Sequence, residues 1–338
     1  MTTVAAAYLV PTRQIENRLK LLDKFLAPSV NEIWINRPGQ LITEGRDGRV
    51  VHDTPELDQK YLEGFVSLVA AHNGKVVDND SPIMSGRLPG GQRIQIVIPP
   101  ACLPGTLSIT IRVPQTQNFT LAELEAQGAF DLVADARRHE LDPVDEKLLA
   151  LKSNGRISEF LDLAVKSHRN ILIAGKTGSG KTTVAQSLID CIPPDERLVT
   201  IEDAHELTCS NHVNKVHLLY SAEGHKGSVS AKQALKSCLR MKPDRILLAE
   251  MRGDEAWDYI KSMNTGHPGS IGTLHCNGAA EAFEQITSFV KDSPVGAHLE
   301  TAFIKERLYS TIDIVLFYEH RKLREIYFDP QYKRQQLG

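Results

Sequence analysis

One glycine-rich stretch of the chain has the residue types that hold phosphate groups. Residues 175–182 read GKTGSGKT and satisfy the P-loop pattern GxxxxGK[ST]. The apolar run Ile171–Ala174 precedes the stretch and the helical run Thr183–Cys191 follows it, which is the strand–loop–helix context of this motif. Glycines let backbone N–H groups turn toward phosphate oxygens, and the start of a helix adds its positive dipole end. The sequence therefore predicts a nucleotide site here.

The P-loop pattern also predicts the roles of single side chains. Lys181 is expected to reach the β- and γ-phosphates, and the hydroxyl of Thr182 is expected to bind Mg²⁺. ATP and Mg²⁺ are thus the predicted cofactors. The predicted nucleotide-binding residues are Gly175, Lys176, Thr177, Gly178, Ser179, Gly180, Lys181, Thr182 and Thr183.

Carboxylates end two later apolar runs, where they could serve a metal ion or an attacking water. Residues 198–203 read LVTIED, with Glu206 close behind, and residues 245–250 read RILLAE. In a parallel sheet the carboxyl ends of the strands lie at the same edge as the P-loop. Glu202 and Glu250 are therefore candidate catalytic acids, and Glu250 is also a candidate Mg²⁺ ligand. The pattern does not decide which of the two orients the water.

A third run, residues 269–275 (GSIGTLH), ends on His275 and is preceded by His267. A zinc site at these two histidines is disfavoured, because their separation is not helical and no cysteine pair flanks them. The spacing fits a nucleotide-sensing role for His275, and it fits a structural histidine nearly as well.

From Asn170 onward short apolar strands alternate with helices, which predicts a largely parallel, helix-covered α/β sheet. The candidate strands are Ile171–Ala174, Leu198–Ile201, Val216–Leu219, Ile246–Ala249 and Ser270–Leu274, followed by Ile312–Tyr318 and Glu325–Phe328. The predicted fold class is therefore α/β.

The N-terminal part has its own elements. Arg13–Leu26 predicts an amphipathic helix, which could pack on its own domain or dock on a membrane or a neighbouring subunit. Leu57–Ala71 predicts a second helix, and Glu32–Asn36 with Gln40–Gly45 predicts a strand pair.

Two further runs, Arg93–Ile98 and Leu107–Val113, alternate strictly between apolar and other residues. If both apolar faces enter one core, Arg93 and Arg112 lie on exposed sheet faces. The pattern alone fits solvated surface arginines as well as functional ones.

The polar stretch after Pro114 suggests a division of the chain into three parts. Residues 1–117 are predicted to form an α/β domain, 118–150 a linker with helices, and 151–338 the nucleotide-binding domain. Thr120 and Glu123 have capping-box spacing and predict a helix start in the linker.

Composition narrows the class of protein. The formal net charge of −3 gives no basic excess, so direct nucleic-acid binding is not indicated. The cysteines are scattered and never spaced as CxxC, which argues against a disulfide framework and fits a reducing cytosol. No run is long and apolar enough for a membrane span, and Val4–Val10 is a poor signal peptide, so a cytoplasmic protein is expected.

Together the motifs resemble the hexameric secretion ATPases. The blocks GKTGSGKTT, TIEDAHEL, CLRMKPDRILLAEMRGDEA and TGHPGSIGTLHCNGAAEA look like that family's Walker A motif, Asp box, Walker B motif and His box. Within it, GGQRIQIVIPPACLPGTLSITIRVP and WINRPG resemble the type IV secretion and conjugation branch. The likeness covers nearly the whole chain.

The resemblance implies a RecA-like C-terminal domain with a smaller α/β N-terminal domain, six subunits forming a ring, and nucleotide between the two domains of a subunit. Arg93 and Arg112 would then look toward the phosphates. Glu250 would be the Walker B carboxylate, Glu202 the Asp-box glutamate and His275 the residue that reports the γ-phosphate. The implied work is pilus biogenesis and substrate transfer, peripheral to a bacterial inner membrane, beside channel components and coupling ATPases.

Some features depart from the family pattern or leave other classes open. AEMRG stands where many relatives have GELRG, and an arginine-finger role for Arg240 is undecided. The lack of a cysteine-rich zinc subdomain weighs against the type II secretion branch. A nucleic-acid motor, a small-molecule kinase and a ring subunit that binds nucleotide without turnover remain alternatives.

Overall fold

The computed structural model describes residues 12–27, 29–114, 118–133, 140–221, 224 and 227–336. These residues form two β-sheets, one before residue 113 and one after residue 170, with helices packed on both. The predicted α/β class is confirmed. The apolar start Val4–Val10 and the proposed boundary at residue 117 lie outside the described residues, and the three-part division of the chain stays a prediction.

The first sheet is antiparallel. Its strands are β1 (Val30–Arg37), β2 (Gln40–Gly45), β3 (Gly48–Asp53), β4 (Ile83–Arg87), β5 (Arg93–Val97) and β6 (Ser108–Arg112). They are ordered β3-β2-β1-β6-β5-β4, so β1 pairs with both β2 and β6. The strand pair predicted at residues 32–45 is confirmed.

One face of this sheet carries the predicted apolar alternation. Ile94 and Ile96 of β5 and Ile109 of β6 are buried beneath two helices, α1 (Thr12–Asp23) and α2 (Gln59–His72). The apolar stripe of α1, formed by Ile15, Leu19 and Leu22, lies in the same core. The amphipathic helix therefore packs on its own domain, which is one of the two interpretations that its sequence allowed.

The opposite face of the sheet is buried as well. Trp34, Gln95, Ser108 and Thr110 are almost fully excluded from solvent, although three of these side chains are polar. They meet residues of the second half of the chain: the indole N–H of Trp34 donates to the carbonyl of Met241 at 3.2 Å. Alternation predicts which residues share a face, but it does not predict that a second layer covers the polar one.

The second sheet is parallel apart from its last strand. Its strands are β7 (Ile171–Gly175), β8 (Leu198–Glu202), β9 (Lys215–Leu219), β10 (Arg245–Met251), β11 (Ile271–Leu274), β12 (Ile314–Glu319) and β13 (Lys322–Tyr327). The order is β13-β12-β7-β11-β10-β8-β9, with only β13 antiparallel to its neighbour among the described strands. All strands predicted after residue 170 are present.

Helices cover both faces of this sheet. On one face lie α4 (Pro143–Ser153), α5 (Ile157–Lys166) and α6 (Lys181–Asp190). On the other lie α7 (Ala231–Cys238), α8 (Glu255–Met263), α9 (Glu281–Asp292) and α10 (Thr301–Thr311), with α11 (Pro330–Gln335) against α10. α3 (Leu121–Ala126) starts with the predicted capping box at Thr120 and buries none of its residues.

Charged side chains join the two sheets at their contact. Arg49 of β3 donates to Asp244 through both terminal nitrogens, and Asp244 also accepts the backbone N–H of Arg197. Burial acts to raise the pKa of Asp244, but the hydrogen bonds and positive charges of Arg49 and Arg197 outweigh it and hold the pKa below its ordinary value. No helix in the described part of the chain is long and apolar enough to cross a membrane.

The ion pair between Arg49 and Asp244 predicts that the free energy of unfolding depends on pH. Asp244→Asn should lower the free energy of unfolding near neutral pH by about 1.5–3 kcal/mol, because Arg49 loses one of its two charged acceptors and keeps only Glu44. A carboxylate with a depressed folded-state pKa stabilises above its unfolded pKa of ~4, and this contribution disappears as the pH falls through the folded-state pKa. Urea unfolding should therefore show a gap between wild type and variant that narrows from about pH 7 toward about pH 3.

The matched control is Asp162→Asn, which removes the partner of Lys166 on the exposed surface of α5. That variant should differ from wild type by no more than about 0.5 kcal/mol. A gap for Asp244→Asn that stays constant across the pH range would contradict the assigned role of its carboxylate.

Candidate functional site

The carboxyl ends of the parallel strands bring the sequence motifs together. β7 pairs with β11, β11 with β10 and β10 with β8, all in parallel register. The P-loop follows β7, Glu250 lies near the end of β10, and His275 directly follows β11. Parallel strands end at one edge of a sheet, which is where open α/β folds bind ligands.

Three positions of the P-loop require glycine, one because of a close backbone contact and two because of their backbone angles. A Cβ atom on Gly175 would lie 2.4 Å from the carbonyl oxygen of Tyr318 in β12. Gly178 and Gly180 have φ angles of 74° and 96°, which side chains with a Cβ rarely adopt. α6 begins immediately after Gly180, so its free N–H groups face the space that the loop encloses.

A hydrogen-bonded chain links three predicted catalytic residues. Lys181 Nζ lies 3.4 Å from Nδ1 of His275, and Nε2 of His275 lies 2.9 Å from a carboxylate oxygen of Glu250. The two ring nitrogens of His275 therefore face a cation on one side and a carboxylate on the other. Lys181 also donates to the carbonyl of Gly175 at 2.8 Å, which holds the ammonium group over the loop.

The charges in this chain shift the pKa values of its members. Burial lowers the pKa of Lys181, and the negative charge of Glu250 partly counteracts it. For Glu250 burial acts to raise the pKa, but the hydrogen bond from Arg252 and the charges of Arg252, His275 and Lys181 outweigh it, so the pKa is lowered. Glu250 is therefore an ionised acceptor in this site.

Further acids and a second cation complete the surroundings. Arg252 donates to Glu250 and to Asp203, both at 2.6 Å, and so bridges the ends of β10 and β8. The hydroxyl of Thr182 donates to Glu206 at 3.0 Å. Oxygen ligands of this kind suit Mg²⁺. The predicted metal ligand Thr182 thus has a carboxylate at hand from the loop after β8.

These side chains surround one cavity of about 410 Å³, here called the P-loop cavity. The P-loop contributes Thr177, Gly178, Gly180, Lys181, Thr182 and Thr183 to its lining, and the rest includes Asp203, Glu206, Glu250, Arg252, His275 and Arg321. Gly175 and Ser179 lie buried beneath the loop, and Lys176 points to the surface near Glu319.

Glu202 does not line the P-loop cavity. Its side chain is fully buried, and one carboxylate oxygen accepts the backbone N–H groups of Glu206 and Leu207 at 2.8 and 2.9 Å. Burial acts to raise its pKa, but hydrogen bonds from His217, Thr200 and these two amides outweigh it and lower the pKa. The two glutamates that the sequence could not rank therefore occupy different environments.

Arg93 and Arg112 are exposed and paired across β5 and β6, and neither lines the P-loop cavity in the part of the chain that the structure describes. Arg112 lies 3.7 Å from Glu32. Gln95, on the same sheet face as Arg93, lines a second cavity of about 620 Å³, the interface cavity, between β4–β5 and α7. Arg240 also lines the interface cavity and donates to Ser85.

Arg321 is a site residue that no sequence pattern indicated. It lies in the turn between β12 and β13 with a φ of 60°, and its backbone N–H donates to the carbonyl of Ser179 in the P-loop. It contacts both the P-loop cavity and a smaller cavity of about 200 Å³ beside Thr183, Val184 and Tyr318. A hairpin turn carries no motif, so only the pairing of β12 with β7 reveals that Arg321 lies beside the P-loop.

His267, the other histidine that the sequence singled out beside His275, contacts the backbone. Its Nδ1 lies 2.9 Å from the carbonyl oxygen of Pro243.

The parallel sheet, the glycine loop, the lysine above it and the acids at the strand ends define a P-loop nucleotide-binding protein. Comparison with known proteins gives the family. The sequence model of the family described as "Type II/IV secretion system protein" matches residues 17–316, and the chain belongs to this family. The resemblance drawn from the motifs is confirmed.

Relatives and a solved structure extend the likeness over the chain. The type IV secretion system protein VirB11 of Bartonella quintana is 43% identical over 337 residues, covering 95% of this chain and 94% of the relative. VirB11 of Brucella suis is 39% identical over 317 residues, covering 91% and 88%. The crystal structure of the VirB11 ATPase from the Brucella suis type IV secretion system, in complex with sulphate, matches with a TM-score of 0.91 and 38% identity, covering 96% and 97% of the two chains. The RecA-like fold is thereby confirmed.

The buried position of Glu202 predicts that it anchors the loop at residues 203–207. Glu202→Ala would leave the buried amide of Leu207 and the partly buried amide of Glu206 without an acceptor. We therefore expect a loss of about 1–3 kcal/mol of stability and amide exchange at Glu206 and Leu207 at least about tenfold faster. Hydrogen exchange of the two amides measures this directly. Glu206→Ala, in the same loop, should leave the Leu207 amide protected, and unchanged exchange in Glu202→Ala would refute the anchor.

Proposed function

We propose that this chain is a Mg²⁺-dependent ATP hydrolase that forms a homohexameric ring and powers pilus biogenesis and substrate transfer in a bacterial type IV secretion or conjugation system. The observation that carries the hydrolase is the chain from Lys181 through His275 to Glu250 at the mouth of the P-loop. The likeness to the VirB11 proteins over nearly the full length supports the secretion role.

The residues divide the work of phosphoryl transfer, which needs positioning and charge neutralisation rather than covalent chemistry. Lys181 and the N–H groups at the start of α6 would hold the β- and γ-phosphates. Thr182 and Glu250, with Glu206 near Thr182, are the oxygens that would hold Mg²⁺. Mg²⁺, when bound, neutralises charge that develops on the phosphates.

Glu250 is the better candidate for orienting the attacking water. It is ionised, borders the P-loop cavity and touches His275, whereas Glu202 is buried and already accepts two backbone amides. His275 would couple the state of the γ-phosphate near Lys181 to Glu250, because its two ring nitrogens face these two residues.

The nucleoside has a candidate site beside the phosphates. The cavity of about 200 Å³ lies along Gly180, Thr183 and Val184, on the side where a nucleotide leaves the start of α6. Tyr318 and Arg321 line it, and both planar groups can stack on a base. We propose that ribose and base lie there.

A neighbouring subunit would complete the site. Arg93 and Arg112 are exposed, share a sheet face and lie outside the P-loop cavity, so they are free to meet phosphates bound by another copy in a ring. In such a head-to-tail interface each subunit offers its arginines to the next. The two arginines of one subunit would then neutralise charge on the γ-phosphate that the neighbouring subunit binds.

The proposed setting follows the relatives, which are components of type IV secretion systems. We propose that the ring works in the cytoplasm at the inner membrane, beside the channel components and the coupling ATPases.

Lys181→Ala tests the hydrolase. It removes the only cation that reaches over the P-loop from α6, and we expect phosphate release from Mg²⁺–ATP to fall by about 100-fold or more. Lys166→Ala, which changes an exposed lysine on α5, should retain wild-type turnover. Light scattering after size-exclusion chromatography should give about six subunits for both variants. Undiminished turnover in Lys181→Ala, or a monomer in every nucleotide state, would refute this part of the proposal.

Mixed rings test the shared site. Lys181→Ala and the double variant Arg93→Ala/Arg112→Ala should each be inactive alone. Rings assembled from an equal mixture should recover roughly a quarter of wild-type turnover, because that fraction of sites pairs an intact P-loop with intact arginines from the neighbour. Adding Lys181→Ala to the arginine-deficient partner, which then carries all three substitutions, should abolish the recovery. No recovery in the first mixture would mean that arginines and P-loop act within one subunit.

A further inference from the structure

Behind the P-loop cavity lies a cluster of possible metal ligands to which the proposed mechanism of hydrolysis gives no role. It consists of Glu202 at the end of β8, His205 in the loop that follows β8, and His217 in β9, and is here called the Glu–His–His cluster. One ligand atom from each residue lies within 4.8 Å of the other two. The imidazole rings approach edge to face, with centroids 4.5 Å apart.

Two of the three separations match the spacing of ligand atoms around a tetrahedral metal ion. Oε1 of Glu202 lies 3.3 Å from Nδ1 of His217 and 3.4 Å from Nδ1 of His205. Tetrahedral Zn²⁺ has bonds of about 2.0–2.1 Å to nitrogen and oxygen, which puts neighbouring ligand atoms about 3.3–3.4 Å apart. Without a metal the same contacts are long hydrogen bonds, and Nδ1 of His217 also lies 2.9 Å from the hydroxyl oxygen of Thr200. Oε1 moreover already accepts the hydroxyl of Thr200.

The cluster also has the access and charge that an exchangeable ion needs. The side chain of His205 is about one-third exposed (34%), and both histidines line a cavity of about 290 Å³ that is separate from the P-loop cavity. The pKa of Glu202 is lowered, so its carboxylate is ionised at neutral pH. Two imidazoles and one carboxylate, with a fourth position open to solvent, form a donor set that zinc ions take.

We propose that Glu202, His205 and His217 bind a Zn²⁺ ion, or a divalent cation of similar ligand preference. The ion uses Oε1 of Glu202 and leaves Oε2 on the amides of Glu206 and Leu207. It therefore ties β9 to the loop that carries Asp203 and Glu206 into the P-loop cavity. Metal binding does not depend on the proposed function. An effect of the metal on ATP turnover, through the loop at residues 203–207, does rest on it.

Direct titration tests the site. Full-length protein, freed of metal with a chelator and without nucleotide, is titrated with Zn²⁺ by calorimetry and with Co²⁺ by visible absorption. We expect one saturable ion per chain and, with Co²⁺, the strong visible bands of a tetrahedral complex. His205→Gln should weaken Zn²⁺ binding at least about tenfold, and His217→Gln should do the same.

Three controls keep the outcome interpretable. His298→Gln changes an exposed histidine elsewhere, and His275→Gln changes a histidine that lines the P-loop cavity, so both should keep wild-type affinity for Zn²⁺. His217 is buried and its variant could misfold, so His205→Gln, with an unchanged unfolding midpoint in the absence of metal, decides. Absence of saturable binding to wild type would overturn the proposal and leave a hydrogen-bonded cluster. Binding lost in His275→Gln but kept in His205→Gln would overturn it too.

Discussion

The arrangement of the two sheets depends on one buried cation. Arg197 is fully excluded from solvent, and hydrogen bonds from Nε and Nη1 offset the cost of burying its charge, whereas Nη2 has no hydrogen-bond partner among the described residues. Its guanidinium donates to Met241, Asn36 and Asn214 and lies over the indole of Trp34, 5.0 Å from the ring centroid. Trp34 and Asn36 belong to the first sheet, and the other partners follow or precede strands of the second. The sheets can therefore separate only if this charge loses its partners.

That junction has a consequence for the site. It holds the polar face of the first sheet against α7 and β9, with Gln95 donating to Ser237 and the backbone of Leu219 pairing with Ala101. Arg93 and Arg112 stand at the end of the same face, beyond the covered part. A packing that buries one end of a sheet face and exposes two arginines at the other leaves those charges available to another molecule. Hydration alone also satisfies exposed arginines, so only their place in a ring would give them a catalytic role.

The sequence predicted those parts of the site that rest on local pattern. The P-loop, the carboxylates at strand ends and His275 follow from spacing and from the rule that parallel strands end at one edge. Glu202 and Glu250 look alike in sequence because both end apolar strands. They differ only because the loop after β8 turns its amides back onto Glu202. Arg321 and the pairing of His205 with His217 depend on strand register and hairpin packing, which have no local signal.

The loop at residues 203–207 is where these separate features meet. One side presents Asp203 and Glu206 to the P-loop cavity, where Arg252 and Thr182 bind them. The other side carries His205, which faces Glu202 and His217. The same carboxylate of Glu202 serves both sides, one oxygen holding the loop amides and the other facing the imidazoles. A change in what Oε1 binds must therefore be transmitted through Glu202 to the loop residues that line the P-loop cavity, since the carboxylate is too buried to turn independently of the loop.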